Sequence, residues 1–427
     1  GACFLRSARE RSDAADLVVV NHSLLLSDLA MGGGLIPDYE YLIVDEAQHL
    51  EAEATKQLGA RVAYSSLSDV LDALAGPRGL AREAINSYRS SKAGESRKQS
   101  TEQASTHLNE TVTRARQRLD EMFTGLNKFL HNRDGVDRGM LNPMRVTPAT
   151  RSQPDWSELE IVWENAASAI SEVVRAVSGL RSSLDGMEQL GLTNYEGLRS
   201  ELLSQGEVLE ENREQASEFM LTPEDSNIYW VEGNQQNNHI LCTAPLHVGD
   251  ILKKKLFGKK KSIVLTSATL AVAGSFAPLR DRLSLETIEE VMLGSPFNYP
   301  EAALLCIPQD MPEPNTTGYA TTLAEAIVEL ARAADGHTLA LFTSHAALRA
   351  TAEVSRTALE GDDIRVLAQG VDGTPRALME DFLSNPRSLL LGTSSFWEGV
   401  DLAGDALTVL ILARLPFDVP SDPVFSA

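Results

Sequence analysis

The chain has 427 residues, 43% hydrophobic and 23% charged, with a formal net charge of −22. That length exceeds one hydrophobic core and predicts two or three domains. No apolar run reaches the ~18 residues of a membrane span, and no signal-peptide pattern opens the chain. A cytoplasmic protein without membrane contact is expected, and three scattered cysteines (Cys3, Cys242, Cys306) make no disulfide framework.

Residues 16–50 carry short apolar runs, Leu17-Val18-Val19-Val20 and Tyr41-Leu42-Ile43-Val44, each followed by a polar loop. Such runs suit buried parallel strands. From Glu51 to Phe219 the texture is helical. No proline falls between Pro77 and Pro143 or between Pro154 and Pro223, and Leu119, Met122, Phe123, Leu126, Phe129 and Leu130 recur at helical spacing. The stretch 132–154, rich in Gly, Pro and Asn, reads as the turn between two long helical arms. From Ile228 strand and helix alternate again. The strand candidates are Ile263-Val264-Leu265, Leu339-Ala340-Leu341-Phe342, Leu389-Leu390-Leu391 and Val409-Leu410-Ile411-Leu412, with helices predicted over 321–334 and 346–359. The fold class is α/β, interrupted by a helical insertion. A boundary between two α/β units is expected near 295–315, which holds five of the 18 prolines.

The strand Tyr41 to Val44 ends in Asp45-Glu46, followed by Ala47-Gln48-His49. Adjacent carboxylates at the carboxyl end of an α/β strand suit phosphoryl transfer, with Asp45 for Mg²⁺ and Glu46 for the attacking water. The competing reading is a strand ending in a polar turn. Ser267-Ala268-Thr269 follows another strand and reads equally as a hydroxyl turn or helix cap. Thr343-Ser344-His345 and the run Gly392 to Asp401 follow strands in the second unit. Backbone amides at the first can hold a phosphate, and the glycines and acids of the second can approach nucleotide; a capping loop around a buried Trp397 is the plainer alternative. Lys253 to Lys255, Lys259 to Lys261 and the Arg- and Lys-rich stretch 78–151 are each most simply solvated faces. Net charge decides little, because local grooves can carry the opposite sign.

Taken in order, Val18-Val19-Val20-Asn21-His22-Ser23-Leu24-Leu25, Val44 to Leu50, Leu265 to Leu270, Ser295 to Tyr299, Leu341 to Ser344, Gly392 to Asp401 and Arg414-Leu415-Pro416-Phe417 resemble the DinG/XPD family of superfamily 2 DNA helicases. The resemblance implies two RecA-like motor domains of the P-loop NTPase type, both incomplete here, with ATP between them and a large all-helical, arch-like insertion. The implied boundaries are 1–50 with 225–300, 51–224 and 301–427. It further implies ATP-driven 5′→3′ movement on single-stranded DNA, in repair or replication, by a protein expected to be monomeric. Asp45 and Glu46 then match the Mg²⁺ and water-activating positions, with Gln48 beside them. Asn21, His22, Ser267, Thr269 and Ser344 match strand-contact and coupling positions, while Glu398, Gly399 and Asp401 match the motif linking nucleotide to DNA.

Cys3 resembles the last cysteine of relatives that carry an iron–sulfur cluster. A [4Fe–4S] cluster needs four such ligands, so Cys3 is one orphan ligand at best, and a cluster in the full-length protein stays open. The family usually has His where Gln48 stands; an amide can still donate and accept. No Gly-x-x-x-x-Gly-Lys-[Ser/Thr] occurs: Gly258-Lys259 is followed by Lys260 and preceded by Lys253 where the first glycine belongs. The family's P-loop is expected upstream of Gly1, and its arginine finger beyond Ala427. Lacking a finger alone costs ~10³–10⁵ in rate in related chemistry, so these 427 residues by themselves are expected to be inactive. The alternative is a truncated paralogue that grips single-stranded DNA or a protein without turnover. A helicase-nuclease would need its own acidic metal cluster, and the sequence offers none.

Overall fold

The chain divides into two units, residues 1–292 with 419–427, and residues 293–418. The computed structural model describes residues 4–89, 94–134, 143–185, 195–233, 238–314, 316–385, 387–398, 400, 402, 404–417 and 422–425.

The first unit opens with α1 (Phe4–Asp13), which buries no residue. The expected strand at 17–20 does not form: among the described residues it joins no sheet, and Val19 is 87% exposed. A β-branched run becomes a strand only where a neighbour takes up its backbone N–H and C=O groups. Helix α2 (His22–Ala30) starts where the Asn21 side chain accepts from the Leu24 N–H at 2.8 Å. Strand β1 (Tyr41–Val44) leads through a 3₁₀ turn at Ala47–His49 into α3 (Leu50–Gln57).

A short strand, β2 (Ala60–Ala63), precedes α4 (Tyr64–Ala75), α5 (Leu80–Arg89) and the 40-residue α6 (Glu95–Asp134). At 1.5 Å per residue α6 is about 60 Å long. Strand β3 (Met144–Arg145) and α7 (Pro148–Arg151) lead to α8 (Pro154–Ser183) and α9 (Tyr195–Leu221). The hairpin β4 (Asn227–Glu232) and β5 (Ile240–Pro245) closes this region. Strands β2-β5-β4-β3 form one antiparallel sheet in that order. Residues 51–224, expected to be all-helical, therefore also contain strands β2 and β3. Ala-Arg-Val-Ala and Met-Arg are too short to show a period of two, and they become strands because the β4–β5 hairpin offers them edges.

The helices and one face of that sheet share a core built around fully buried Trp156, Trp163 and Phe219. The Arg151 guanidinium lies 5.0–5.6 Å from the rings of Tyr229, Trp156 and Phe219, and burial lowers its pKa. His239, fully buried just before β5, donates from Nε2 to Asn127 Oδ1 at 2.9 Å. Burial, then the nearby His131, pushes its pKa down, so the folded state holds it neutral. Below an unfolded value of about 6.5 the unfolded chain binds the extra proton, so the stabilisation is complete above that pH and falls away on acidification. Melting temperatures between pH 7.5 and 5.5 are expected to fall less steeply in His239→Gln than in wild type; parallel slopes would refute this role.

The unit ends with α10 (Gly249–Lys255), β6 (Ser262–Leu265) and α11 (Ala277–Leu283). Strand β6 pairs parallel with β1, Val44 opposite Leu265. A second, smaller core joins Leu26, Val44, Leu50, Leu252 and Leu283 beneath this pair.

The second unit contains α12 (Tyr299–Ala302), α13 (Tyr319–Ala333), β7 (Thr338–Leu341), α14 (His345–Leu359), β8 (Arg365–Ala368), α15 (Pro375–Ser384), β9 (Ser388–Gly392) and β10 (Val409–Leu412). Its four strands are all parallel, in the order β10-β7-β9-β8. Alternate strand residues face opposite cores. Ala340, Ala368, Leu389 and Leu391 meet α13 and α14, while Leu339, Leu341, Leu367 and Leu390 meet Leu378 and Phe382 of α15. Covering both faces explains why β7 and β9 read as continuous apolar runs. No helix among the described residues is long and apolar enough to cross a membrane.

Candidate functional site

In the first unit the parallel ladder continues one step past its strands. The Thr266 N–H donates to the Val44 carbonyl at 2.9 Å, and the Ala47 N–H donates to the Thr266 carbonyl at 3.1 Å. Asp45-Glu46 and Thr266-Ser267 therefore lie side by side at the carboxyl edge. His22, the first residue of α2, reaches the same edge and donates from Nε2 to the Asp45 carbonyl at 2.8 Å. Three sequence-separated segments, around residues 21–22, 45–48 and 266–269, thus meet.

Glu46 adopts a left-handed backbone, φ 50° and ψ 44°, a conformation that costs a non-glycine residue roughly 1 kcal/mol or more. Its carboxylate is exposed and accepts from Gln48 Nε2 at 2.9 Å. Gln48 thus holds the carboxylate that the sequence assigns to water activation, and its own Oε1 is buried without a hydrogen-bond partner among the described residues. Asp45 is exposed beside it. One exposed carboxylate at a sheet edge fits Mg²⁺, which keeps most of its shell as water and phosphate oxygens. Ser267 Oγ accepts from the Thr269 N–H at 3.1 Å, so the hydroxyl turn read from the sequence is present at this shared edge.

In the second unit, Ser344 caps α14 by accepting from the Ala346 N–H at 3.2 Å, and its side chain is exposed. The loop after β9 turns sharply because residue 392 is glycine: a Cβ there would sit 2.6 Å from the Phe396 ring. Phe396 is buried, and Trp397 is partly buried with its Nε1 donating to the Phe342 carbonyl at 3.4 Å. Neither ring is presented for base stacking, whereas Tyr299 is exposed. Glu398 is exposed; Gly399 and Asp401 lie outside the described residues, as does Cys3.

The family model for a helicase C-terminal domain matches residues 327–427. Over the whole chain, the sequence is 30% identical to the ATP-dependent DNA helicase YoaA of Haemophilus influenzae, covering 59% of that protein. It is 29% identical to the ATP-dependent helicase DinG of Mycobacterium tuberculosis, covering 56% of it. Over 99% of the chain it is 28% identical to the 3′-5′ exonuclease DinG of Bacillus subtilis, covering 46% of that protein. Over its whole length the chain is thus similar to proteins named as DinG-type and YoaA-type helicases, and its residues 327–427 match a helicase C-terminal domain. It spans about half the length of these relatives.

One buried residue that the sequence does not single out, Gln369, also stands at a strand edge, beside Thr393 of the run already noted. Gln369, directly after β8, accepts through Oε1 from the N–H and the hydroxyl of Thr393 at 2.7 and 3.0 Å. The available signal is a polar residue closing an apolar strand, with Gly370 behind it. The lysine clusters are largely solvated or paired. Lys253 meets Glu286, Lys261 meets Glu40, and Lys260 lies 3.2 Å from the centre of the Tyr39 ring while donating to the Tyr39 carbonyl. On α6, Arg114, Arg116 and Arg118 pair with Glu172, Asp72 and Glu121.

The described cysteines, Cys242 and Cys306, do not by themselves fit an iron–sulfur cluster. Burial pushes the Cys242 thiol up to about 12, which leaves no thiolate near neutral pH, and Cys306 is a free, exposed thiol in the other unit. Among the described residues, no group of three or more His, Cys, Asp and Glu side chains is placed to hold a metal ion.

Proposed function

We propose that this chain is the motor body of an ATP-driven DNA helicase of the DinG/XPD type, moving 5′→3′ on single-stranded DNA in repair or replication. The observation that supports it most is the meeting of Asp45-Glu46, His22 and Ser267 at one strand edge. On this reading Asp45 holds Mg²⁺, which when bound offsets charge on the ATP phosphates. Glu46, held by Gln48, orients and deprotonates the attacking water. Asn21, His22, Ser267 and Thr269 carry the nucleotide state to the strand, and Ser344 touches DNA phosphate from the start of α14. Glu398, Gly399 and Asp401 link nucleotide to strand in the second unit.

Residues 1–50 with 225–300, and 301–427, are then two RecA-like domains, and 51–224 is an arch-like insertion. The protein works as a cytoplasmic monomer. Contacts to phosphate make its binding salt-dependent and largely indifferent to sequence.

A second reading is a module that binds single-stranded DNA without turnover. Hydrolysis of ATP by the full-length protein, with and without a single-stranded oligonucleotide, beside the 427-residue chain, separates the two. Stimulated turnover in the full-length protein and none in the chain supports the motor; binding without turnover in both supports the module.

A further inference from the structure

We propose that Gln369 is a positioning residue: it holds the loop after β9 at Thr393 and Ser395 and leaves the Thr393 hydroxyl turned to accept from His345, so that Ser344 and Glu398 are set together. This rests on the motor reading above. The network runs in one direction: His345 Nε2 donates to Thr393 Oγ1 at 3.4 Å, and the Thr393 hydroxyl donates to Gln369 Oε1 at 3.0 Å. The same Oε1 accepts the Thr393 N–H at 2.7 Å, while Gln369 Nε2 donates to Ser395 Oγ at 3.3 Å. Gln369 is 8% exposed and Thr393 4%.

The Gln369 amide accepts twice through Oε1 and donates from Nε2, a separate atom that reaches Ser395. Burying it is costly unless every group is paired, and an apolar residue would fill the same volume more cheaply. The arrangement makes sense through what lies at its ends. One end is His345, exposed and adjacent to Ser344. The other is Ser395, in the loop that carries Glu398. The backbone pairs Gln369 N to Leu391 O and Phe342 N to Gly392 O end before the loops begin, and Trp397 Nε1 to the Phe342 carbonyl at 3.4 Å adds a second, longer link from the β9 loop to the end of β7.

The test is ATP hydrolysis by the full-length protein, titrated with a single-stranded oligonucleotide. In Gln369→Leu the oligonucleotide concentration for half-maximal stimulation is expected to rise about tenfold, while turnover at saturation changes less than about twofold. Gln369→Glu, whose carboxylate still accepts both Thr393 bonds, is expected to restore half-saturation to within about threefold of wild type. A merely structural role would lower the melting temperature without moving the two kinetic quantities apart. His345→Ala, at an exposed position, leaves folding intact and is expected to shift half-saturation in the same direction by about threefold. Wild-type half-saturation in both Gln369→Leu and His345→Ala overturns the proposal, as does wild-type behaviour of His345→Ala alone if Gln369→Leu does not fold. A wild-type protein with no stimulated turnover overturns the motor reading, and this inference with it; unchanged variants of a stimulated wild type overturn the positioning role only.

Discussion

Glu46→Gln is expected to reduce DNA-stimulated ATP turnover by the full-length protein about a thousandfold, the scale of losing a general base. Nucleotide and DNA binding should persist, because the amide keeps the size of the carboxylate and Asp45 is untouched. The left-handed backbone at Glu46 and its bond from Gln48 aim this one side chain, so the neighbouring Asp45 cannot take over its role. Turnover within about threefold of wild type would show that the strand ends in an ordinary polar turn, and the motor reading would lose its water-activating group.

Trp156→Ala is expected to destabilise the helical region around α6, α8 and α9 by about 4 kcal/mol, read from the denaturant midpoint of the helical circular dichroism signal. Trp156 is fully buried at the start of α8, with Phe129 edge-on at 5.4 Å and Phe219 tilted at 6.3 Å. Its ring is also one wall around the Arg151 guanidinium, which keeps a bond to the Met220 carbonyl at 3.4 Å. Removing it opens a cavity and weakens the shielding of a buried charge at once. A loss below about 1 kcal/mol would mean that the surrounding helices collapse into the space.

Much of the second unit is legible in the sequence because its central strands β7 and β9 are covered on both faces and announce themselves as apolar runs, while β10 is as apolar although Leu410 and Leu412 stay exposed. Leu339 to Leu341, Leu389 to Leu391 and Val409 to Leu412 all appear as strands, with α13 and α14 between them where helical spacing predicts. Leu17 to Val20 has the same composition yet stays unpaired, because hydrogen-bond partners are a tertiary fact that composition does not contain. Strands β2 and β3 are hidden for the opposite reason: they are too short for periodicity, and the hairpin beside them decides their conformation. At the candidate site, Asp45, Glu46 and Ser267 are visible as residues after strands. Their adjacency depends on the β1–β6 register, and the bond from His22 depends on where α2 begins. Gln369 is obscure because its importance lies in Thr393, 24 positions away.

The β2–β5 pairing has a consequence for how this family can diversify. Residues 64–239 are bracketed by Ala60–Ala63 and Ile240–Pro245, and these two strands are hydrogen-bonded neighbours. Gly59 permits the approach, since a Cβ there would lie 2.3 Å from the Thr243 carbonyl oxygen. With the loop closed at its base, adding or deleting helical turns farther out costs little in closure entropy, which grows only with the logarithm of length. Evolution can therefore resize or reshape everything between the two strands, as it would a graft on a fixed stock, while the edge that carries Asp45 and Glu46 keeps its geometry.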